Sequence, residues 1–196
     1  MRPNFFVNTP DILHAYLQYG GPASFKIRAA IAATGSPSWG VYAGYELFEH
    51  VAVRPGSEEY LDSEKYQIRI RDWDGAAAEG RTLAPYLTRL NEIRRAHPAL
   101  QLLRNTVVHS SDDENVLVFS KSAGPDTVIT VVNLDPHSTR ETTVHLDLPA
   151  MGLQWGDTFA VHEELTGADW SWGQHNYVRL DPGYEPAHVL TVRSDR

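Results

Sequence analysis

The sequence predicts an α/β segment followed by an all-β segment, and three observations predict it. Up to about Leu102, short apolar runs alternate with stretches of helical periodicity, the order of a parallel β/α fold. Beyond that residue the hydrophobic period switches to two, in short β-branched and aromatic runs punctuated by Asp, Gly, Pro and Ser. That is the pattern of an antiparallel sandwich or barrel. Between residues 46 and 80 both periods vanish. The predicted division is therefore 1–101 and 102–196, with 46–80 as a long loop of the first part.

In chain order, "NFFVN" (4–8) is a short apolar strand, halted by Pro10. "DILHAYLQY" (11–19) has Ile12, Tyr16 and Tyr19 at helical spacing and ends at Gly20-Gly21. "PASFKIRAAIAATG" (22–35) opens with proline, suited to a first helical position, and closes with glycine. Its apolar residues predict a mostly buried helix. "SWGVYAG" supplies a second strand, Trp39 to Ala43. "LAPYLTRLNEIRRAH" (83–97) is amphipathic, with Leu83, Leu87, Leu90 and Ile93 on one face, and Pro98 stops it. Parallel strands bury both faces, so two of them predict only a piece of a larger sheet. The 46–80 stretch carries Tyr60, Tyr66 and Trp73, which argue for an ordered, functional loop. Strand patterns then follow at 105–110, 115–122, 127–135, 142–148, 158–167, 177–182 and 187–193.

Composition narrows the function. The net charge is −8 and there is no Lys/Arg run, which argues against a nucleic-acid partner. With no cysteine, disulfides and thiolate metal sites are excluded. No stretch is long and apolar enough to span a bilayer, and no signal-peptide pattern opens the chain, so no membrane partner and a cytoplasmic location are expected.

Asp11 follows the first strand directly. Catalytic groups of parallel β/α barrels stand at the C-terminal ends of strands, but Asp is also a good helix N-cap, and position alone favours the cap. Lys65 and Tyr66 combine a hydroxyl-donating ammonium with an apolar ring; the residues alone favour a solvated lysine and a packing tyrosine. Arg69, Arg71, Asp72 and Asp74 are either a network or solvated charges. His14, His50, His97 and His109 lack metal-ligand spacing, and no metal or cofactor is expected. Gly20-Gly21-Pro22 fits a helix cap better than an anion site. In "DWSWGQHNYVRL", Trp170, Trp172 and Tyr177 form either a sugar-stacking platform or packing, and packing is favoured.

These motifs resemble the α-amylase superfamily, glycoside hydrolase family 13. "NFFVNTPD" resembles its last-but-one barrel strand, "PSWGVYAGYELF", with Gly44 and Glu46, its final strand, and "LTRLNEIRRAHPAL" its last barrel helix. The fold implied is the last two strand–helix units of a (β/α)8 barrel followed by an antiparallel β-sandwich. Thr9 and Pro10 stand where amylases carry Asn and His, which disfavours starch hydrolysis. With "GSEEYLDSEKYQ" and "RDWD", the Thr-Pro-Asp variant resembles the branch that transfers maltosyl from maltose 1-phosphate to an α-1,4-glucan. The resemblance implies that Asp11 is the transition-state-stabilising third carboxylate, that Lys65 and Tyr66 bind the donor, and that Glu46 is supporting. The nucleophile and acid/base would lie on barrel strands absent from these residues, and the chain alone would be inactive. A homodimer of the full enzyme, and a remaining barrel segment in the same or a separate chain, are implied partners. The alternatives are a hydrolase or branching-enzyme fragment and a non-catalytic glucan-binding module.

Overall fold

The computed structural model describes residues 3–65 and 67–193. Strand β1 (Asn4–Phe6) pairs in parallel with β2 (Ser38–Gly40), Phe5 opposite Trp39. The ladder gains one more bond where Val7 N donates to Gly40 O at 3.0 Å. Helices α1 (Ala15–Tyr19) and α2 (Gly21–Gly35) connect them. Gly20 ends the first and begins the second: a Cβ there would stand 2.5 Å from Tyr16 O. The Gly-Gly-Pro run is thus a helix junction. The second strand stops at Gly40, short of the expected Ala43, because the chain bends into a 3₁₀ turn at Tyr45–Leu47.

The stretch from 46 to 80 is less irregular than its composition suggests. It holds a bridge between Ala52 and Tyr60 and a short helix α3 (Trp73–Ala78). Asp72 starts that helix by accepting from Gly75 N at 2.9 Å. Helix α4 (Ala84–Ala96) buries Leu87, Leu90 and Ile93, and it packs against α2. Its Arg94 donates to the carbonyls of Ala33, Ser36 and Pro37, closing the C-terminal end of α2 where carbonyls lack helical partners.

The remainder is one eight-stranded antiparallel sheet. Its strands are β3 (Thr106–Ser111), β4 (Val116–Ala123), β5 (Asp126–Asn133), β6 (Arg140–His145), β7 (Phe159–Glu163), β8 (Asp169–Trp172), β9 (His175–Leu180) and β10 (Ala187–Arg193), in the order β8-β7-β10-β5-β4-β3-β6-β9. Strand β3 is the corner. Thr106–His109 pair with β4, and Ser110 and Ser111 pair with β6. The sheet folds there over a core that includes Val118, Ile129, Val144, Val161, Leu180 and Leu190. One difference from the sequence expectation falls here: the strand expected at 177–182 spans His175–Leu180, and a further strand, Asp169–Trp172, precedes it, with Gly173 and Gln174 between them.

The α/β part packs directly on this sheet. Ile27 and Ala30 share an apolar cluster with Val132 and Ala187, and Ile93 and Leu100 share another with Val128 and Val189. No described helix is long and apolar enough to cross a membrane.

Candidate active site

Thr9, Pro10, Asp11 and Ile12 form a tight turn just past β1, closed by Thr9 N to Ile12 O at 3.3 Å and Ile12 N to Thr9 O at 3.2 Å. The helix that follows is capped by His14, whose Nδ1 accepts from Tyr16 N at 3.3 Å. Asp11 therefore does not serve as its N-cap. Its side chain is 64% exposed at the tip of the turn.

The turn is anchored from below by Asn8, which is buried. Asn8 Nδ2 donates to Tyr60 OH at 2.8 Å and to Tyr42 O at 3.3 Å, and Asn8 Oδ1 accepts from Tyr42 N at 2.8 Å. One side chain thus joins the ends of both parallel strands to the long loop. Burial pushes the Tyr60 phenol up to about 12, so it stays a neutral hydrogen-bond partner.

Residues 51–61 double back on themselves. Val53 N donates to Glu59 O and Leu61 N to Val51 O, each at 2.9 Å. The limb is tied to the turn by Leu13 N donating to Glu58 O at 2.5 Å. This presents Glu59 to Lys65. The Lys65 ammonium pairs with Glu59 Oε1 at 2.9 Å and also with the Asp11 carboxylate. Hydrogen bonds to Asp11, then to Glu59, raise its pKa, so Lys65 is a cation throughout the neutral range. Asp11 and Lys65, 54 positions apart in sequence, meet at the exposed end of the parallel pair. Tyr66 lies outside the described residues.

The other charges of the loop brace it. Arg71, its side chain 5% exposed, holds Glu49 at 2.8 and 3.2 Å and Glu64 at 3.1 Å. Arg69 reaches Glu49 at 3.2 Å. Gly44 has φ +99°, and a Cβ there would collide with the Glu49 carboxylate. Glu46 acts as a local support: its carboxylate accepts from Gly44 N at 3.1 Å and its carbonyl from Leu83 N at 2.7 Å. Among the described residues no cluster of His, Asp and Glu could hold a metal ion.

Sequence reasoning did not single out Asn8, Tyr42 or Glu59. Glu59 stands inside the quoted loop motif, but nothing in its spacing shows that it would face Lys65. The partners of Asn8 are 34 and 52 residues away.

The fold belongs with the α-amylases in architecture. The chain superposes on a γ-CGTase from alkalophilic Bacillus clarkii with a TM-score of 0.67 at 17% identity, covering 98% of this chain and 26% of that one. An Anoxybacillus α-amylase gives 0.66 at 16% identity, covering 98% and 38%. The sequence similarity is narrower. Residues 108–192 match the family model described as GLGE, C-terminal. The chain is 60% identical over 193 residues to α-1,4-glucan:maltose-1-phosphate maltosyltransferase 2 of Streptomyces coelicolor, covering 98% of this chain and 29% of that protein. The correspondingly named maltosyltransferase of Corynebacterium glutamicum is 57% identical over 97% of this chain and 29% of its own length. The chain thus spans less than a third of these relatives.

Proposed function

We propose that this chain is part of a retaining glycosyltransferase that moves maltosyl from α-maltose 1-phosphate to the non-reducing end of an α-1,4-glucan, releasing phosphate. The observation that carries this reading is the meeting of Asp11 with Lys65 at the exposed end of the parallel strand pair. The names and high identity of the relatives supply the reaction. In this reading residues 1–101 are the last two strand–helix units of a (β/α)8 barrel, with 46–80 over its mouth, and 102–196 are the β-sandwich. The right-sense support is local: β1 and β2 are parallel, α2 bridges them, and Phe5 and Phe6 are 39% and 53% exposed on faces that further barrel strands would cover.

Asp11 is then the third carboxylate. It accepts hydroxyls of the reacting ring and favours the oxocarbenium-like state as the C1–phosphate bond breaks. Lys65 donates to donor hydroxyls, and Tyr66 gives the sugar an apolar face. Glu59 holds Lys65 in place. The nucleophile that bonds to C1, and the acid/base that handles the leaving and entering oxygens, come from other barrel strands. Asn8 and Tyr60 keep the turn at a fixed height relative to the loop. The test is phosphate release from maltose 1-phosphate plus glucan, with the complete polypeptide and with residues 1–196 alone. Release by the complete protein only is expected. Starch hydrolysis without acceptor-dependent phosphate release would overturn the reading.

A further inference from the structure

We propose that Glu185 is the pin of a proton-dependent clasp between the antiparallel sheet and helices α2 and α4, tight when its carboxyl carries a proton and looser when it is ionised. Glu185 ends the turn between β9 and β10, where Asp181 N donates to Glu185 O at 3.2 Å and Tyr184 N to Asp181 O at 3.0 Å. The turn meets both long helices. From α2, the Lys26 ammonium donates to Tyr184 O at 2.7 Å. From α4, Tyr86 OH donates to Glu185 Oε1 at 3.1 Å, and Ala187 N, at the start of β10, donates to the same oxygen at 3.3 Å. Lys26 lies over the Tyr86 ring, 5.4 Å from its centroid. Next to the turn, Ala187 and Val132 of the sheet share their apolar cluster with Ile27 and Ala30 of α2. Sheet and helices thus meet around one carboxyl group.

These surroundings suit a neutral acid better than an anion. The Glu185 side chain is 9% exposed. Its two hydrogen-bond donors are uncharged, and burial keeps the Tyr86 phenol protonated. Its one ion-pair partner among the described residues, Lys26, stands 3.6 Å away, past hydrogen-bond reach, and makes its short bond to Tyr184 O instead. Glu163 of β7, itself buried, adds the repulsion of a second carboxylate. The remaining charges are engaged elsewhere. Arg89 of α4 holds Glu164, and Asp181 of the turn accepts from Gly183 N and pairs with Arg179 of β9. Burial holds His188 of β10 below the ordinary histidine range, so it adds no charge at neutral pH. Desolvation therefore outweighs the pull of Lys26 and pushes the Glu185 carboxyl up from 4.5 to about 7.

Closing the clasp and taking up a proton are linked. With the turn lifted off the helices, the carboxyl meets water and titrates near 4.5; with the turn seated, it titrates at about 7. The proton's contribution to the seated state is complete below the lower value and is lost as the pH rises through the upper one. The opening constant therefore rises roughly 25-fold between about pH 5.5 and about pH 8. None of these side chains belongs to the Asp11 turn, and the clasp does not depend on the reaction proposed above.

The test is amide exchange of the complete polypeptide at residues 181–187, corrected for the intrinsic rate at each pH, together with the infrared band of a buried protonated carboxyl. Protection should fall by the factor above as the pH rises, and the band should fade over the same range. Glu185→Gln keeps an acceptor for Tyr86 OH and Ala187 N without the charge. It should hold protection level across that range and remove the band. Lys26→Met takes away the ammonium that favours the ionised form, so the midpoint should move to higher pH. That second variant also serves as the check if Glu185→Gln does not fold. Protection that is level with pH in the parent, a pH dependence that survives Glu185→Gln, or a midpoint that falls in Lys26→Met would overturn the clasp.

Discussion

In β5, every residue from Thr127 to Asn133 is buried, while all three residues of β1 are exposed. Both runs are rich in apolar or β-branched side chains, so composition does not explain the contrast. Strand β5 lies between β4 and β10 and has α2 and the turn Pro98–Gln101 against it. Strand β1 has β2 on one edge and helix α2 nearby. A strand exposes what its neighbours leave uncovered. The antiparallel sheet buries one face on its own core and the other against α2 and Pro98–Gln101; the parallel pair presents an uncovered face beside the meeting of Asp11 with Lys65. The two parts of this chain are therefore told apart by coverage.

The comparison is broken or sharpened by substitution at each end. Ile129→Ala, in the covered sheet, removes a side chain of 0% exposure and should cost about 2–5 kcal/mol in denaturant unfolding. Activity per folded molecule of the complete enzyme should not change. Asp11→Asn should do the reverse: unfolding stays near that of the parent, and kcat of the complete enzyme falls roughly 10²–10³-fold. Near-normal turnover would make the turn a mere connection. On the proposed reading, Lys65→Ala should lower kcat/KM for maltose 1-phosphate in the complete enzyme roughly 5- to 150-fold, the loss of one hydrogen-bond donor. Circular dichroism should be unaltered. Phe6→Ser should shift the stability of residues 1–196 by under about 1 kcal/mol, because the ring is 53% exposed. In the complete polypeptide the same change should cost several times more. Equal costs in the two settings would mean that nothing further covers β1.

Much of this was legible in the sequence. The helix expected at 22–35 spans Gly21–Gly35, and that expected at 83–97 spans Ala84–Ala96. Strong apolar periodicity and proline or glycine punctuation mark both. The period-two runs beyond residue 102 fall on strands for the same reason. Asp11 stood out because a proline isolates it just past an apolar run. What stayed hidden depends on distant residues meeting. The bonds of Asn8 to Tyr42 and Tyr60, and of Glu59 to Lys65, arise only when the loop folds back over the strand ends. Helix α3 is too short for its six residues to show a period, and its cue is the single cap at Asp72. The run from Asp169 to Leu180 conceals a break between two strands because its aromatics alternate on both sides of Gly173.

The divided pairing of β3 also bears on the order in which the sheet assembles. Strands β4 and β5 are joined by a short turn and pair over eight positions, so their contacts close small loops and need little search. Strand β3 joins that hairpin through four residues, and its last two pair with β6. Strand β9 then zips onto β6 over six positions. Growth on the other side runs from β5 through β10 and β7 to β8. Growth outward from that hairpin would bring the sheet's two ends together at Gly173. On that order of assembly, pulse-labelled exchange should show the amides of β8 and β9 gaining protection after those of β4 and β5.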